Sequence, residues 1–376
     1  MAVQLEEFTK NKPLIDFQIS VLTFNVFSGP PKERLYIGFI GFFSLIVFLL
    51  VSTHLLNTFN GEINDNIMTS ILHIMGTCLF CLKTFVGWYR RKEIHELRRE
   101  IEDLLKVNET DEDLQRIVTE RMKDSLKLWK LCTRWGIRLV CLCALTYAIM
   151  ARFNPKIGLI MDIPYTNITS SVLKEVLHDI PSVLIISMGP IFISIELAVL
   201  FLGIPIVSEI DILENYLKVY NEKIKTTPHF MSKLIEKHCK VLRNVNLLNV
   251  TFSEMTFIQF FASIIIFLVV FLSVRKNSDQ IEYYMLCVAG QMQLLPFCLL
   301  GQYIKVKTDK LSDTLYLTNW YELSLKDQKT FLIILGMAQR EYGLKAAGMY
   351  EVNLNTFVKI QKLSFSYCAI LYTLSK

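Results

Sequence analysis

Six stretches of this chain are long and apolar enough to cross a lipid bilayer. They are Leu35–Leu56, Asn66–Tyr89, Leu128–Met150, Ile180–Val207, Phe252–Val274 and Tyr283–Ile304. A spanning helix needs about 20 mostly apolar residues, because inside lipid every backbone donor and acceptor must be satisfied within the segment itself. A weaker seventh stretch, Val352–Leu374, carries Lys359 and Lys362 within one turn of each other. At 52% hydrophobic and 20% charged residues, the chain has more long apolar runs than a soluble core uses. Met1–Arg34 is polar and holds Pro13, Pro30 and Pro31, so no signal peptide is expected there and the first span is expected to act as the insertion signal. The expected fold class is an all-α membrane protein with seven transmembrane helices.

Lysine and arginine near the span ends set the expected orientation, since the basic loops stay inside. The N-terminal tail holds 4, the segment 90–127 holds 10, and the segments 208–250 and 305–349 hold 7 each. The alternate loops hold none in 57–65, 3 in 151–179 and 2 in 275–282. The N-terminus is therefore expected in the cytoplasm and the C-terminus outside. The formal charge of +5 is a topology signal, and no nucleic-acid partner is needed to explain it. Of three glycosylation sequons, at Asn108, Asn167 and Asn249, only Asn167 falls in an expected outer loop. All nine cysteines fall in spans or inner loops, so no disulfide framework is expected, and the Cys78-x-x-Cys81 pair reads as helix packing.

The inner loops are long and carry helical periodicity. In 90–131 the apolar positions Ile94, Leu97, Ile101, Leu104 and Leu105 share one face opposite a charged one. The segments 209–224 and 232–249 repeat this pattern, and 324–345 opens on Ser324 with Asp327 three residues on, a capping signature. Several membrane helices are thus expected to run on into the cytoplasm and assemble there.

Ionisable groups inside spans are functional candidates. Lys83 is near the inner end of its span and is expected to snorkel. Glu196 is deeper, and a pairing with Arg138 or Lys83 is the expectation for it. In the outer halves, Ser70, His73 and Ile74, then Cys143, Tyr147 and Met150, then Ser187 and Met188, then Tyr283, Tyr284 and Cys287 offer rings, sulfurs and a few hydroxyls. That mixture suits a pocket for a small, mostly apolar ligand, compact and aromatic or heteroaromatic. The six histidines form no H-x-x-x-H pair, and neither G-x-S-x-G nor a phosphate loop occurs. No enzyme chemistry, metal site or cofactor is expected.

Two C-terminal stretches carry a resemblance. "LSDTLYLTNWYEL" (311–323) and "MYEVNLNTFVKIQKLSFSYCAILYTL" (349–374) resemble the closing signature of insect odorant receptors. Tyr316, Trp320 and Tyr321 supply its first part. Thr356, Phe357, Ile360, Ser364, Phe365, Ser366 and Tyr367 supply its second, with Phe365 where the family often has Tyr. The resemblance implies an odorant-gated cation channel, a heterotetramer with a shared co-receptor subunit, in the plasma membrane of olfactory neuron dendrites. It implies permeant cations and a small volatile odorant as ligands. The loop between spans 4 and 5 is short, which fits the odorant-tuned partner rather than the co-receptor. On this pattern residues 1–304 hold the tail, spans 1–6 and an odorant pocket. Residues 305–348 form cytoplasmic anchor helices, and 349–376 the pore-lining helix 7. Ile370 and Leu374 match the hydrophobic gate, while Tyr316, Trp320, Tyr321, Ser366 and Tyr367 match the subunit anchor. A gustatory receptor channel is the nearest alternative and a G-protein-coupled receptor a more distant one, the latter opposed by the charge bias.

Overall fold

The computed structural model describes residues 3–25, 31–59, 65–107, 109, 111–153, 170–219, 230–276 and 281–374. Among them are ten α-helices: α1 Val3–Leu22, α2 Pro31–Thr58, α3 Asp65–Tyr89, α4 Arg91–Lys106, α5 Glu112–Phe153, α6 Ser171–Lys218, α7 Phe230–Lys276, α8 Ile281–Tyr316, α9 Leu325–Ala338 and α10 Leu354–Leu374. A 3-10 turn (Trp320–Glu322) and a two-residue hairpin (β1 Lys345–Ala346, β2 Tyr350–Glu351) precede α9 and α10 respectively. Six helices (α2, α3, α5, α6, α7 and α8) are long and apolar enough to cross a membrane.

Helices α5, α6 and α7 run for 42, 48 and 47 residues. At 1.5 Å per residue that is about 63 to 72 Å, twice the roughly 30 Å of a hydrocarbon core, so each carries a long extension beyond the bilayer. The extensions, with α4 and α9, gather at one end of the bundle, the end rich in lysine and arginine. Helix α6 is the axis: 72% of its apolar window is buried, against 22–50% for the other candidate spans. It is closely packed along α5, where Gly136 and Gly189 put no side chain in the way. A Cβ at Gly189 would sit 3.1 Å from Val140, the close approach that small residues permit between membrane helices. Trp129 of α5 is buried and donates its indole N–H to the Leu197 carbonyl of α6 at 3.3 Å, beside an edge-on Phe201 ring 5.5 Å away.

The polar tail expected at the N-terminus is instead a helix. Pro13 lies within α1, but on its exposed side, where the carbonyl it leaves unpaired can meet water. The opposite face, Phe8, Ile15, Ile19 and Leu22, is buried in the main core at steps of seven, four and three. The end of α1 abuts α3 so tightly that a Cβ on Gly87 would fall 2.0 Å from the Leu22 carbonyl oxygen.

The basic end is stitched by side chains. All five periodic residues of α4 (Ile94, Leu97, Ile101, Leu104, Leu105) are buried. Arg243 of α7 meets Glu96 and Glu100 of α4, each at 2.9 Å, and Lys307 of α8 meets Asp211 of α6 at 2.6 Å. Glu109, between α4 and α5, contacts Lys233, Lys237 (3.1 Å) and the Tyr216 hydroxyl (2.8 Å). Burial pushes its carboxyl upward, but these three partners together hold it below the ordinary carboxylate range. Ser324 caps α9 by accepting the Asp327 N–H at 3.2 Å.

The hairpin turns at Ala347 and Gly348, both with positive φ, and locks onto α7. Ser253 bonds the Lys345 carbonyl at 2.7 Å and the Gly348 N–H at 3.2 Å, and Asn249 accepts the Lys345 N–H at 2.6 Å. The Asn249 sequon is thus occupied in folding. Asn353 then caps α10 through the Thr356 N–H at 2.8 Å.

Candidate functional site

One end of each long helix builds the basic assembly, and the other end leaves room between helices. There α2, α3, α5, α6, α7 and α8 surround a cavity of about 270 Å³. Small residues make the space: Gly76 of α3, Ala144 of α5, Gly189 of α6, and Ala289 and Gly290 of α8 all line it. A Cβ on Gly76 would meet nothing within 4 Å. The remaining walls are largely aliphatic and aromatic, with Leu72, Phe80, Val140 and Phe192 among them. The cavity runs inward from His73 to Lys83 on α3, ten residues, or about 15 Å. On α6 it spans Met188 to Glu196, about 12 Å.

Four of the eleven residues expected in a pocket line this cavity: His73, Cys143, Tyr147 and Met188. His73 and Tyr147 lie together, ring centroids 5.9 Å apart. The Nδ1 atom of His73 is 2.8 Å from the Thr69 carbonyl. A carbonyl only accepts, so Nδ1 carries the proton and Nε2 of the neutral ring is an acceptor. Ser70 is fully buried one turn beyond the lining. Ile74 is half-buried on α3 outside the lining. Tyr283 does not line the cavity but is buried against Val270 and the cavity-lining Leu72, and Cys287 packs on this cluster. Tyr284 is exposed on the outside of α8. The side chains of Met150 and Ser187 and the whole of Asn167 lie outside the described residues.

The inner end of the cavity corrects the expectation for Lys83. It does not snorkel: it is 2% exposed and paired with Glu196, itself 3% exposed. Its ammonium also sits over the Phe297 ring, 5.8 Å from the centroid. Of the two partners expected for Glu196, the structure selects Lys83, and Arg138 instead stacks on Trp135 of its own helix at 5.5 Å.

Helix α10 stands against α7 and α8. It buries Ile360, Ser364 and Cys368 and joins α8 through a Gln361–Gln291 hydrogen bond and α7 through an edge-on Phe365–Phe267 pair at 4.9 Å. Its opposite face, Asn355, Lys359, Lys362, Ser366, Ile370 and Thr373, is exposed throughout. Gln291 is two residues from Gln293, which lines the cavity, so α8 touches both the cavity and α10. The Leu374 side chain lies outside the described residues. Tyr316, Tyr321, Ser366 and Tyr367 are exposed, while Trp320 is half-buried and stacks on Phe331 of α9, centroids 6.0 Å apart. Among the described residues there is no group of side chains that could hold a metal ion.

A family model described as 7tm Odorant receptor matches residues 63–365. Odorant receptor 33b of Drosophila melanogaster is 29% identical over 157 residues, 41% of this chain and 41% of that one. Odorant receptor Or1 of Anopheles gambiae is 29% identical over 94 residues, 24% of this chain and 22% of that one. These aligned stretches cover less than half the length of either relative. Among solved structures, the insect olfactory receptor OR5 from Machilis hrabei in complex with eugenol superposes with a TM-score of 0.77 over 99% of both chains, at 14% identity. Another structure of the same receptor gives 0.68 over 98% of both chains.

Proposed function

The chain belongs to the 7tm odorant receptor family, and on that premise we propose that it is the odorant-tuned subunit of a ligand-gated, non-selective cation channel. The observation that carries this reading is the largely apolar cavity reached by α3, α5, α6 and α8, with the shared helix α8 bonded to α10 through Gln291 and Gln361. A small volatile ligand enters the cavity, and the α8 shift it induces passes to α10. The exposed face of α10 supports a pore role. Its polar part, up to Ser366, meets water, and Ile370 with Leu374 forms a hydrophobic constriction that dewets when closed. A lone helix would hold Lys359 and Lys362 in lipid at a cost of about 2.5–3.5 kcal/mol each near mid-membrane, whereas a face turned to a shared axis keeps them wet.

The pore therefore needs neighbours, and a co-receptor subunit in a heterotetramer supplies them. The exposed Tyr316, Tyr321 and Tyr367 form the contact surface between subunits. The protein spans the plasma membrane of an olfactory neuron dendrite with the basic end in the cytoplasm. Cells expressing this chain with a co-receptor are expected to pass inward cation current to part of a volatile-compound panel, with G-protein exchange blocked. Surface-expressed protein that is silent to the whole panel, or current that requires G-protein exchange, contradicts the reading.

A further inference from the structure

The cavity has a polar floor that an odorant pocket of purely apolar character does not need. Glu196 Oε1 is held by Lys83, while Glu196 Oε2 is buried without a hydrogen-bond partner among the described residues. Both residues line the cavity. A carboxylate has room for about four hydrogen bonds, and a buried acceptor left unmade is costly. The walls above the floor are mostly hydrocarbon and aromatic, with Ser44, His73, Thr77, Tyr147 and Gln293 as the polar exceptions, and none of these is hydrogen-bonded to Glu196 Oε2, so a bound molecule is the group best placed to complete it.

We propose that the ligand is a neutral hydrogen-bond donor, an alcohol or phenol on a compact apolar body, whose O–H is donated to Glu196 Oε2. The inference rests on the odorant-receptor reading and names the ligand class of that cavity. Carboxylic acids are excluded, because in ionised form they would bring a second negative charge against Glu196. Ethers and hydrocarbons of the same shape fill the walls but leave the Oε2 atom unpaired. The proposal makes Lys83 a positioning residue: it fixes the Glu196 carboxylate and leaves one oxygen for the ligand.

The test reads binding directly and independently of gating. Full-length chain in detergent-solubilised membranes of expressing cells is titrated with para-cresol and its methyl ether, and with benzyl alcohol and its methyl ether, following the thermal-aggregation midpoint. The donor of each pair is expected to act at a half-maximal concentration lower by about tenfold or more, the scale of a hydrogen bond to a charged group. In the Lys83→Met/Glu196→Met double variant the two members of each pair are expected to converge to within about threefold, because the donor's partner is gone. Equal potency on the wild-type chain, no shift with any of the four compounds, or a donor preference surviving in the double variant overturns the proposal. Donor-selective binding without current would leave this inference standing and sink the channel reading instead.

Discussion

Glu196→Ala and Lys83→Ala are each expected to remove most of the protein from the cell surface. The two side chains are almost fully buried and paired with each other. Truncating one leaves the other as an uncompensated charge in a low-dielectric interior, a loss of about 3–5 kcal/mol. That is a large share of the 5–15 kcal/mol by which a folded protein typically exceeds its unfolded state. The double change Lys83→Met/Glu196→Met keeps the volume and removes both charges, and replacements of this kind are often neutral or stabilising. Surface labelling of an extracellular tag should therefore fall in both single variants and recover in the double one. Recovery failing, or single variants at wild-type levels, would show that the pair does not support the fold.

Gly301→Ala is expected to abolish the ligand response through the start of α10. A Cβ there would lie 2.0 Å from the Val352 carbonyl oxygen and 2.9 Å from its carbonyl carbon. These are backbone atoms, so no rotamer change relieves the clash. Val352 sits between the hairpin and α10, its N–H bonded to the Leu344 carbonyl at 2.9 Å. The whole connection must move off α8, at a cost of about 1–3 kcal/mol or more for overpacking a tight contact. Gly336 in α9 supplies the control, since a Cβ there meets nothing within 4 Å. Currents recorded from Gly336→Ala should match the wild type, and currents from Gly301→Ala should be lost. Matching responses in the two variants would separate the α8–α10 contact from gating.

The membrane helices were legible because each apolar run announces itself by length alone, and α4 because its five core positions keep helical spacing with a charged reverse face. Helix α1 was hidden by Pro13 and by its polar residues. The signal that could have found it was Phe8, Ile15, Ile19 and Leu22 on one stripe. The cavity was only half visible. Residue chemistry pointed to His73, Cys143, Tyr147 and Met188, but the space itself is made by what is missing at Gly76, Ala144 and Gly189, and absence carries no chemical flag. Which way α8 turns is a matter of azimuth. Met285, Ala289 and Met292 share the face towards the cavity, which leaves Tyr283 in a neighbouring cluster and Tyr284 outside. The sequence position of Lys83 is compatible both with snorkelling and with a Glu196 pair, and the packing of α6 against α3 decides for the pair.

On the proposed reading, the cavity between α3, α5, α6 and α8 receives the ligand that opens the channel. Gly76→Phe tests it most directly, since Gly76 faces open space in the cavity and replacing a mid-helix glycine does not weaken the helix. Whole-cell currents are recorded from wild-type and Gly76→Phe chains, each co-expressed with the co-receptor and matched for surface level, over one odorant concentration series. The filled cavity is expected to abolish the response or raise the half-maximal concentration by at least about tenfold. An unchanged concentration series for every active compound would contradict that reading.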